Sequence, residues 1–335
     1  MRLLEMAARR ALVALVLGGL FASALPQSAR DQQAFPNKTV TIILSYPPGG
    51  LGDSSARRLA QRLSEMWKVP VLVDSKPGAA GLLGAGIVAK SPANGHTLLY
   101  IIPETLSVTK ALRRTVPGFD PINDLQPIAI TALSSTVLAV PFDSPHKTFK
   151  DFIEFARRNP GKLSFGVQGI GSAYHLAFEQ LKSMSGTDIT AVPYKGVGLA
   201  ITDLLAGRLD GMIFSTSVAV PYIQSDKLRV LAIASGDRIN QMPAVPTIAE
   251  SGLAGYDAPV ALGVMVRSGT PKPIVDRLSA DIRKVMNEPA MVEWLAQLSA
   301  VTSNMTPDEF KARMTREIAT YEQVIEKVGI QKFAD

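Results

Sequence analysis

Four times along the chain a short apolar strand runs into a glycine-rich turn and then into a helix, and this repetition constrains the fold more than any single residue does. In the first unit Val40, Ile42 and Leu44 alternate as strand residues do. Pro47-Pro48-Gly49-Gly50 ends the strand, and Ala56, Leu59, Ala60, Leu63, Met66 and Trp67 recur at helical spacing. The second unit is Val71 to Ser75, Lys76 to Gly81 and an Ala- and Gly-rich helix. The third is Leu163 to Gln168, Gly169 to Ser172 and a helix carrying Ala173, Leu176, Ala177, Leu181 and Met184. The fourth is Ile189 to Pro193, Tyr194 to Gly198 and a helix with Ala200, Leu204 and Leu205. A helix begins with unpaired N–H groups and a partial positive charge, so each turn is a notch suited to a small anion. Two notches early in the chain and two well beyond them predict a two-lobed clamp around one anionic ligand.

A chain of 335 residues exceeds one ordinary core and suits two lobes. Alternating strand and helix patterns predict an α/β fold with largely parallel sheets. Arg2, Arg9 and Arg10 precede an apolar run from Ala11 to Leu25, which is shorter than the roughly 20 residues a membrane span needs. Ala22-Ser23-Ala24 reads as a cleavage site, which makes residues 1–24 an expected secretory signal peptide and the periplasm the expected compartment. The sequence holds no cysteine, which excludes disulfides and a cysteine-borne lipid and leaves no membrane anchor expected. Removing residues 1–24, which hold Arg2, Arg9, Arg10 and Glu5, leaves 32 basic and 28 acidic residues. With so mild a balance and no basic tract, no nucleic-acid partner is expected.

Along the mature chain, the helix of residues 56 to 67 follows the first notch, and His96 to Ile102 is a third strand ending at Pro103-Glu104-Thr105. Ile128 to Pro141 reads as a strand crossing to a second lobe, and Ala258 to Val266 as the strand crossing back. The expected lobes are therefore residues 36–133 with 257–335, and residues 134–256. Between the crossings lie a helix from Phe149 to Arg158 capped by Thr148, the third and fourth units, a strand from Leu209 to Ser215, a helix interrupted by Pro221, and a strand from Arg229 to Ser235. Helices at 271–287, 290–298 and 307–328 close the chain.

Reactive constellations are sparse. The three histidines, His96, His146 and His175, are scattered, and no spacing suggests a metal site. Ser172 and His175 stand three apart at a helix start without a nucleophile elbow, so Ser172 reads as an N-cap and His175 as a neutral hydrogen-bonding ring. Gly81, Gly84 and Gly86 reverse the spacing of a dinucleotide loop, and close helix packing accounts for them better. Asp53 stands where a helix cap stands, Lys195 is either a solvated turn lysine or a charge beside the ligand, and Asp210 fixes a turn.

Together Tyr46-Pro-Pro-Gly-Gly-Leu-Gly-Asp53, Lys76-Pro-Gly-Ala-Ala-Gly81, Gly171-Ser-Ala-Tyr-His175, Pro193-Tyr-Lys-Gly196, Asp203-Leu-Leu-Ala-Gly-Arg-Leu-Asp210 and Met242-Pro-Ala-Val-Pro-Thr-Ile-Ala-Glu-Ser-Gly252 resemble the substrate-binding proteins of tripartite tricarboxylate transporters, the Bug receptors. The match covers nearly all of the mature chain. The resemblance implies an α/β, two-lobed periplasmic-binding-protein fold of type II, a Venus flytrap with two crossover strands. It implies no catalysis, no cofactor and no metal. The implied partners are a small carboxylate ligand and the membrane permease subunits of a tripartite transporter; a monomer is the default expectation for a clamp that must open and close. Carried onto this sequence, the ligand-binding residues are Tyr46, Pro48, Gly50 and Asp53 in the first notch and Ala79, Ala80 and Gly81 in the second. Thr105 follows the third strand, and Gly169, Ser172, His175, Tyr194 and Gly196 lie on the opposite lobe. Phe214-Ser215-Thr216 departs from the family, many of whose members carry an aspartate after the phenylalanine. A ligand sensor for a membrane kinase and an exported enzyme acting on a carboxylate are the rival readings of such a clamp.

Overall fold

The computed structural model describes residues 35–112, 116 and 118–328. The expected signal peptide lies outside the described residues. The first strand–notch–helix unit forms β1 (Val40–Leu44) and α1 (Leu51–Trp67), and the second forms β2 (Val71–Ser75), a 3-10 turn (Ala79–Gly81) and α2 (Leu82–Ala89). β3 (Thr97–Ile101) leads into α3 (Glu104–Ala111). β4 (Leu125–Ser134) is followed after one residue by β5 (Thr136–Pro141), so a single extended stretch carries the chain from one sheet to another. Next come α4 (Phe149–Arg158), β6 (Ser164–Gln168), α5 (Ala173–Ser185), β7 (Thr190–Tyr194), α6 (Val197–Leu205), β8 (Gly211–Ser215), α7 (Thr216–Gln224) and β9 (Leu228–Ile233). β10 (Val260–Arg267) returns the chain to the first sheet. α8 (Lys272–Met286), α9 (Pro289–Gln297), β11 (Ala300–Val301) and α10 (Pro307–Val328) complete it.

The first sheet has the order β11-β4-β10-β3-β1-β2 and the second β7-β6-β8-β5-β9. The unit strands pair in parallel, β1 with β2 and β3, and β6 with β7 and β8. The expectation of largely parallel sheets fails at the crossovers, where β10 runs antiparallel to β3 and β4, and β5 antiparallel to β8 and β9. A strand arriving from the other sheet enters from the end at which the unit strands finish, so its direction is reversed. The crossovers lie side by side: Val260 pairs with Ser134, Thr136 Oγ1 donates to Ala258 O at 2.8 Å, and Ala258 N–H donates to Ala234 O at 2.9 Å. This is the two-lobed α/β fold with two crossover strands.

Each sheet buries an apolar layer under its helices. Ile43, Leu99, Ile101, Ile130, Met265 and Phe310 fill one such layer of the first sheet, while Phe152, Phe165 and Phe178 anchor one of the second, the last two stacked with centroids 4.6 Å apart. Tyr100, fully buried, ties α1 to β4 by hydrogen bonds to Ser55 Oγ and Thr131 Oγ1, both 2.7 Å, and burial pushes its hydroxyl up to about 12. Gly84 and Gly86 are packing positions, as expected. A Cβ on Gly84 would stand 2.6 Å from Ser45 Oγ, and one on Gly86 would stand 3.2 Å from Phe119. Thr148 caps α4 in a capping box with Asp151. Pro221 does not interrupt α7, which runs through it.

Gly263 on β10 is the tightest joint of the crossover. A Cβ there would lie 2.8 Å from Phe310 Cζ and 2.9 Å from Pro103 Cγ. Gly263→Ala is expected to cost roughly 1–3 kcal/mol by overpacking. Urea unfolding of the variant checks this, and an unchanged midpoint would mean that α10 yields without cost.

Candidate functional site

In both sheets the notches begin where parallel strands end together. Leu44 pairs with Ser75 and with Tyr100, so the turns after β1, β2 and β3 rise from one edge; Gln168 pairs with Tyr194, so the turns after β6 and β7 do the same. The crevice outside the carboxyl ends of such strands is where α/β sheets bind ligands. Two contacts show that the edges face each other. A Cβ on Gly169 would lie 3.3 Å from Ala80 Cβ, and a Cβ on Gly196 would lie 3.3 Å from Pro47 Cγ. All four notches therefore border one crevice, and the lobes are closed over it.

In the first notch, α1 starts at Leu51, five residues before its apolar stripe, and Gly50 rather than Asp53 is its N-cap. Asp53 sits in the first turn and shapes the loop from there. Its Oδ2 accepts from Gly49 N–H at 3.2 Å and its Oδ1 from Arg57 Nε at 2.8 Å. Pro48 is exposed and Gly50 half-buried. Tyr46 turns inward, where its hydroxyl accepts from Ile102 N–H at 3.0 Å and lies near the Thr105 hydroxyl. Burial drives that hydroxyl well above its ordinary range, so it stays a neutral donor.

The second notch is strained. Ala79 and Ala80 hold φ of +48° and +57°, between Gly78 at +149° and Gly81 at +103°. Left-handed alanines cost roughly 1–3 kcal/mol each and persist where the surroundings over-determine them, often at ligand clamps. Gly81 N–H donates to Gly78 O at 2.8 Å, whereas the N–H groups of Ala79 and Ala80 have no acceptor among the described residues. Thr105, buried in the first turn of α3, completes this side.

Opposite them, Ser172 is the N-cap of α5, its Oγ accepting from His175 N–H at 3.1 Å, as expected. His175 Nδ1 accepts from Gly171 N–H at 3.3 Å, which places any ring proton on Nε2, 3.7 Å from Glu179 Oε1. Burial, aided by Lys182 and opposed by Glu179, lowers its pKa and keeps the ring neutral. Tyr194 is turned away from a ligand role at its tip, because its hydroxyl donates to Asp203 Oδ2 at 2.7 Å. Lys195 is exposed, and Asp210 accepts from Ser164 N–H at 2.7 Å, fixing β6 against β8. Among the described residues, the first two N–H groups of α1, α5 and α6 also lack acceptors. The crevice thus offers main-chain donors from both lobes, and no group of three or more His, Asp or Glu among the described residues is placed to hold a metal.

Two features escaped the sequence. Gln168, the last residue of β6, has a buried Nε2 with no acceptor among the described residues; its place directly before a notch is the signal that would have found it. In place of an aspartate, Ser215 joins a buried hydroxyl chain, 2.9 Å from Ser134 Oγ and 2.6 Å from Ser217 Oγ.

No helix among the described residues is long and apolar enough to cross a membrane. Residues 55–330 match the family described as Tripartite tricarboxylate transporter family receptor. The chain is 32% identical over 315 residues to Protein BugT of Bordetella pertussis, covering 94% of this chain and 96% of that one. Among solved structures it is similar to Rpa4515 of R. palustris with adipate, at 32% identity and a TM-score of 0.84, covering 88% of this chain and 98% of the other. It is also similar to MatC (Rpa3494) from Rhodopseudomonas palustris with bound malate, at 28% identity and a TM-score of 0.81, covering 87% and 100%. The matched family is one of receptors. With the family match spanning most of the chain, this protein belongs to the tripartite tricarboxylate transporter receptors.

Proposed function

We propose that this protein is a periplasmic receptor that closes on a small carboxylate and delivers it to the membrane permease of a tripartite transporter. The observation that carries the reading is the convergence of unpaired main-chain N–H groups from both sheets on one crevice. The lobes that close are residues 36–133 with 257–335 and residues 134–256, hinged at the paired crossovers, and the receptor acts as a monomer. One carboxylate is held by Gly50, Ala79, Ala80 and Gly81 with the hydroxyls of Tyr46 and Thr105, and by the notches at Gly169, Ser172 and Gly196 from the other lobe. Pro48, Asp53, His175 and Tyr194 shape the walls. Helix N-termini add about 0.3–1 kcal/mol each to anion binding when exposed and up to ~2 kcal/mol when partly buried. The adipate and malate held by relatives support a ligand with carboxylate ends.

Isothermal titration of a panel of aliphatic and aromatic mono-, di- and tricarboxylates, amino acids and neutral amides tests this. Carboxylates are expected to bind, and each matching amide to bind at least about tenfold more weakly, since loss of one charged hydrogen-bonding end exceeds ~1.4 kcal/mol. Binding confined to neutral or cationic compounds would overturn the reading.

A further inference from the structure

Behind the crevice lies a charged cluster that carboxylate capture does not use. Glu104, beside Thr105 at the start of α3, is 1% exposed. Its Oε1 accepts from Ala261 N–H of β10 at 3.1 Å and from Arg313 Nη2 of α10, while its Oε2 is buried with no hydrogen-bond partner among the described residues. Arg313 also donates from Nε to Glu317 Oε1 at 2.6 Å, and Ser107 Oγ donates to Glu317 Oε2 at 3.1 Å. Two carboxylates therefore share one guanidinium, and of the two Glu104 is the one cut off from water. Ionised together they would leave an uncompensated charge, which a protein relieves by holding a proton. Oε2 is the oxygen that can carry it without breaking a bond. Burial, reinforced by Glu317 and opposed by Arg313, pushes the Glu104 carboxyl up to about 8.

Part of what seals this cluster comes from the other sheet. Tyr174 of α5 lies near enough that Glu104 raises its hydroxyl further, and Leu176 of α5 packs with Val108, Leu112 and Ile325 of α3 and α10. The remaining titratable groups facing Glu104 are Tyr46 from the first notch and Tyr321 from α10; Asp257, in the segment entering β10, acts on Tyr321. Burial pushes all three tyrosine hydroxyls well above their ordinary range, and Asp257 accepts from Gly236 N–H at 2.7 Å. Lifting α5 away as the lobes open would let water reach Glu104.

We propose that ligand capture is proton-linked through Glu104: closure of α5 over α3 and α10 traps a proton on this carboxyl, and opening releases it. The proposal rests on the reading of the crevice as one that opens and closes. Because the closed form binds more protons, affinity for the ionised carboxylate is higher below the Glu104 titration than above it. It falls by up to about tenfold per pH unit between the open-state value and the closed-state value, and then levels off.

The test needs no ligand. In the full mature chain carrying Pro47→Cys and Gly196→Cys, oxidation holds the lobes shut and reduction frees them. Carboxyl-carbon NMR of Glu104, assigned by the signal that Glu104→Gln removes, is expected to titrate at least about one pH unit higher in the oxidised form, a tenfold difference in proton affinity. An equal midpoint in both forms would overturn the proposal. Adipate titrations in phosphate and in Tris then separate the two readings. Binding with no proton uptake defeats the proton linkage alone, whereas a shifted midpoint without carboxylate binding defeats the ligand class alone.

Discussion

Oxidised Pro47→Cys/Gly196→Cys protein is expected to exchange bound carboxylate slower than its reduced form by roughly two orders of magnitude or more, since release then waits on a covalent bond rather than on lobe opening. The chain contains no cysteine, so the pair can form only one intramolecular disulfide. Gly196, with φ of 178° and ψ of 165°, is extended and accepts a side chain without strain. A Cβ on it lies 3.3 Å from Pro47 Cγ, the atom bonded to Pro47 Cβ, so the two Cβ atoms are about one bond length further apart at most, near the upper end of the roughly 3.5–4.5 Å span of a cystine. The pair Ala80 and Gly169 approaches as closely, but Gly169 holds φ of +81°, which a cysteine would resist. Protein oxidised with adipate present should retain it through dialysis, protein oxidised without it should take up none, and reductant should restore exchange in both. If the oxidised protein loads and releases ligand at the reduced rate, the gap between these loops is not the entrance, and the closure reading fails.

The units that build this crevice were legible because each is local. A strand period, a glycine turn and a helical stripe stand within some thirty residues, and the first crossover shows as an apolar run too long for an ordinary strand, the second as a β-rich run. What escaped was set at a distance or by conformation. Asp53 reads as a cap because its residue type favours that place, yet α1 opens two residues earlier with Leu51 and Gly52, which carry no helical signature, and the cap is Gly50. Nothing in two alanines announces left-handed backbone at Ala79 and Ala80; the packing of the notch imposes it. Pairing direction at the crossovers is a property of two strands from different parts of the chain, so local pattern could not reverse it. Glu104 appeared only as a residue beside Thr105, because its partner Arg313 is 209 residues away.

That distant pair makes the second large effect. Arg313→Leu is expected to destabilise the protein by about 3–5 kcal/mol near pH 9.5, where Glu104 with its guanidinium in place is ionised, the cost of breaking a buried pair by removing one member. Solvent screens little of this: the side chains of Arg313 and Glu104 are 15% and 1% exposed. Without the guanidinium, Glu104 and Glu317 face each other with nothing between them but a shared desolvation, and the folded-state pKa of Glu104 rises beyond about 8. The sign follows. A carboxyl whose folded pKa lies above its unfolded value contributes no penalty at acid pH, where both states hold the proton, and loses stability progressively as pH rises toward the folded value. Below about pH 8 Glu104 holds its proton with or without the guanidinium, so the loss caused by Arg313→Leu should be smaller at pH 5 than at pH 9.5, and adding Glu104→Gln should restore a large part of it at pH 9.5 while changing little at pH 5. Urea unfolding of the single and double variants at both pH values measures this. A loss independent of pH, or a double variant no more stable than Arg313→Leu alone, would mean that the guanidinium acts through packing of its alkyl chain against α3 and not through the charge on Glu104.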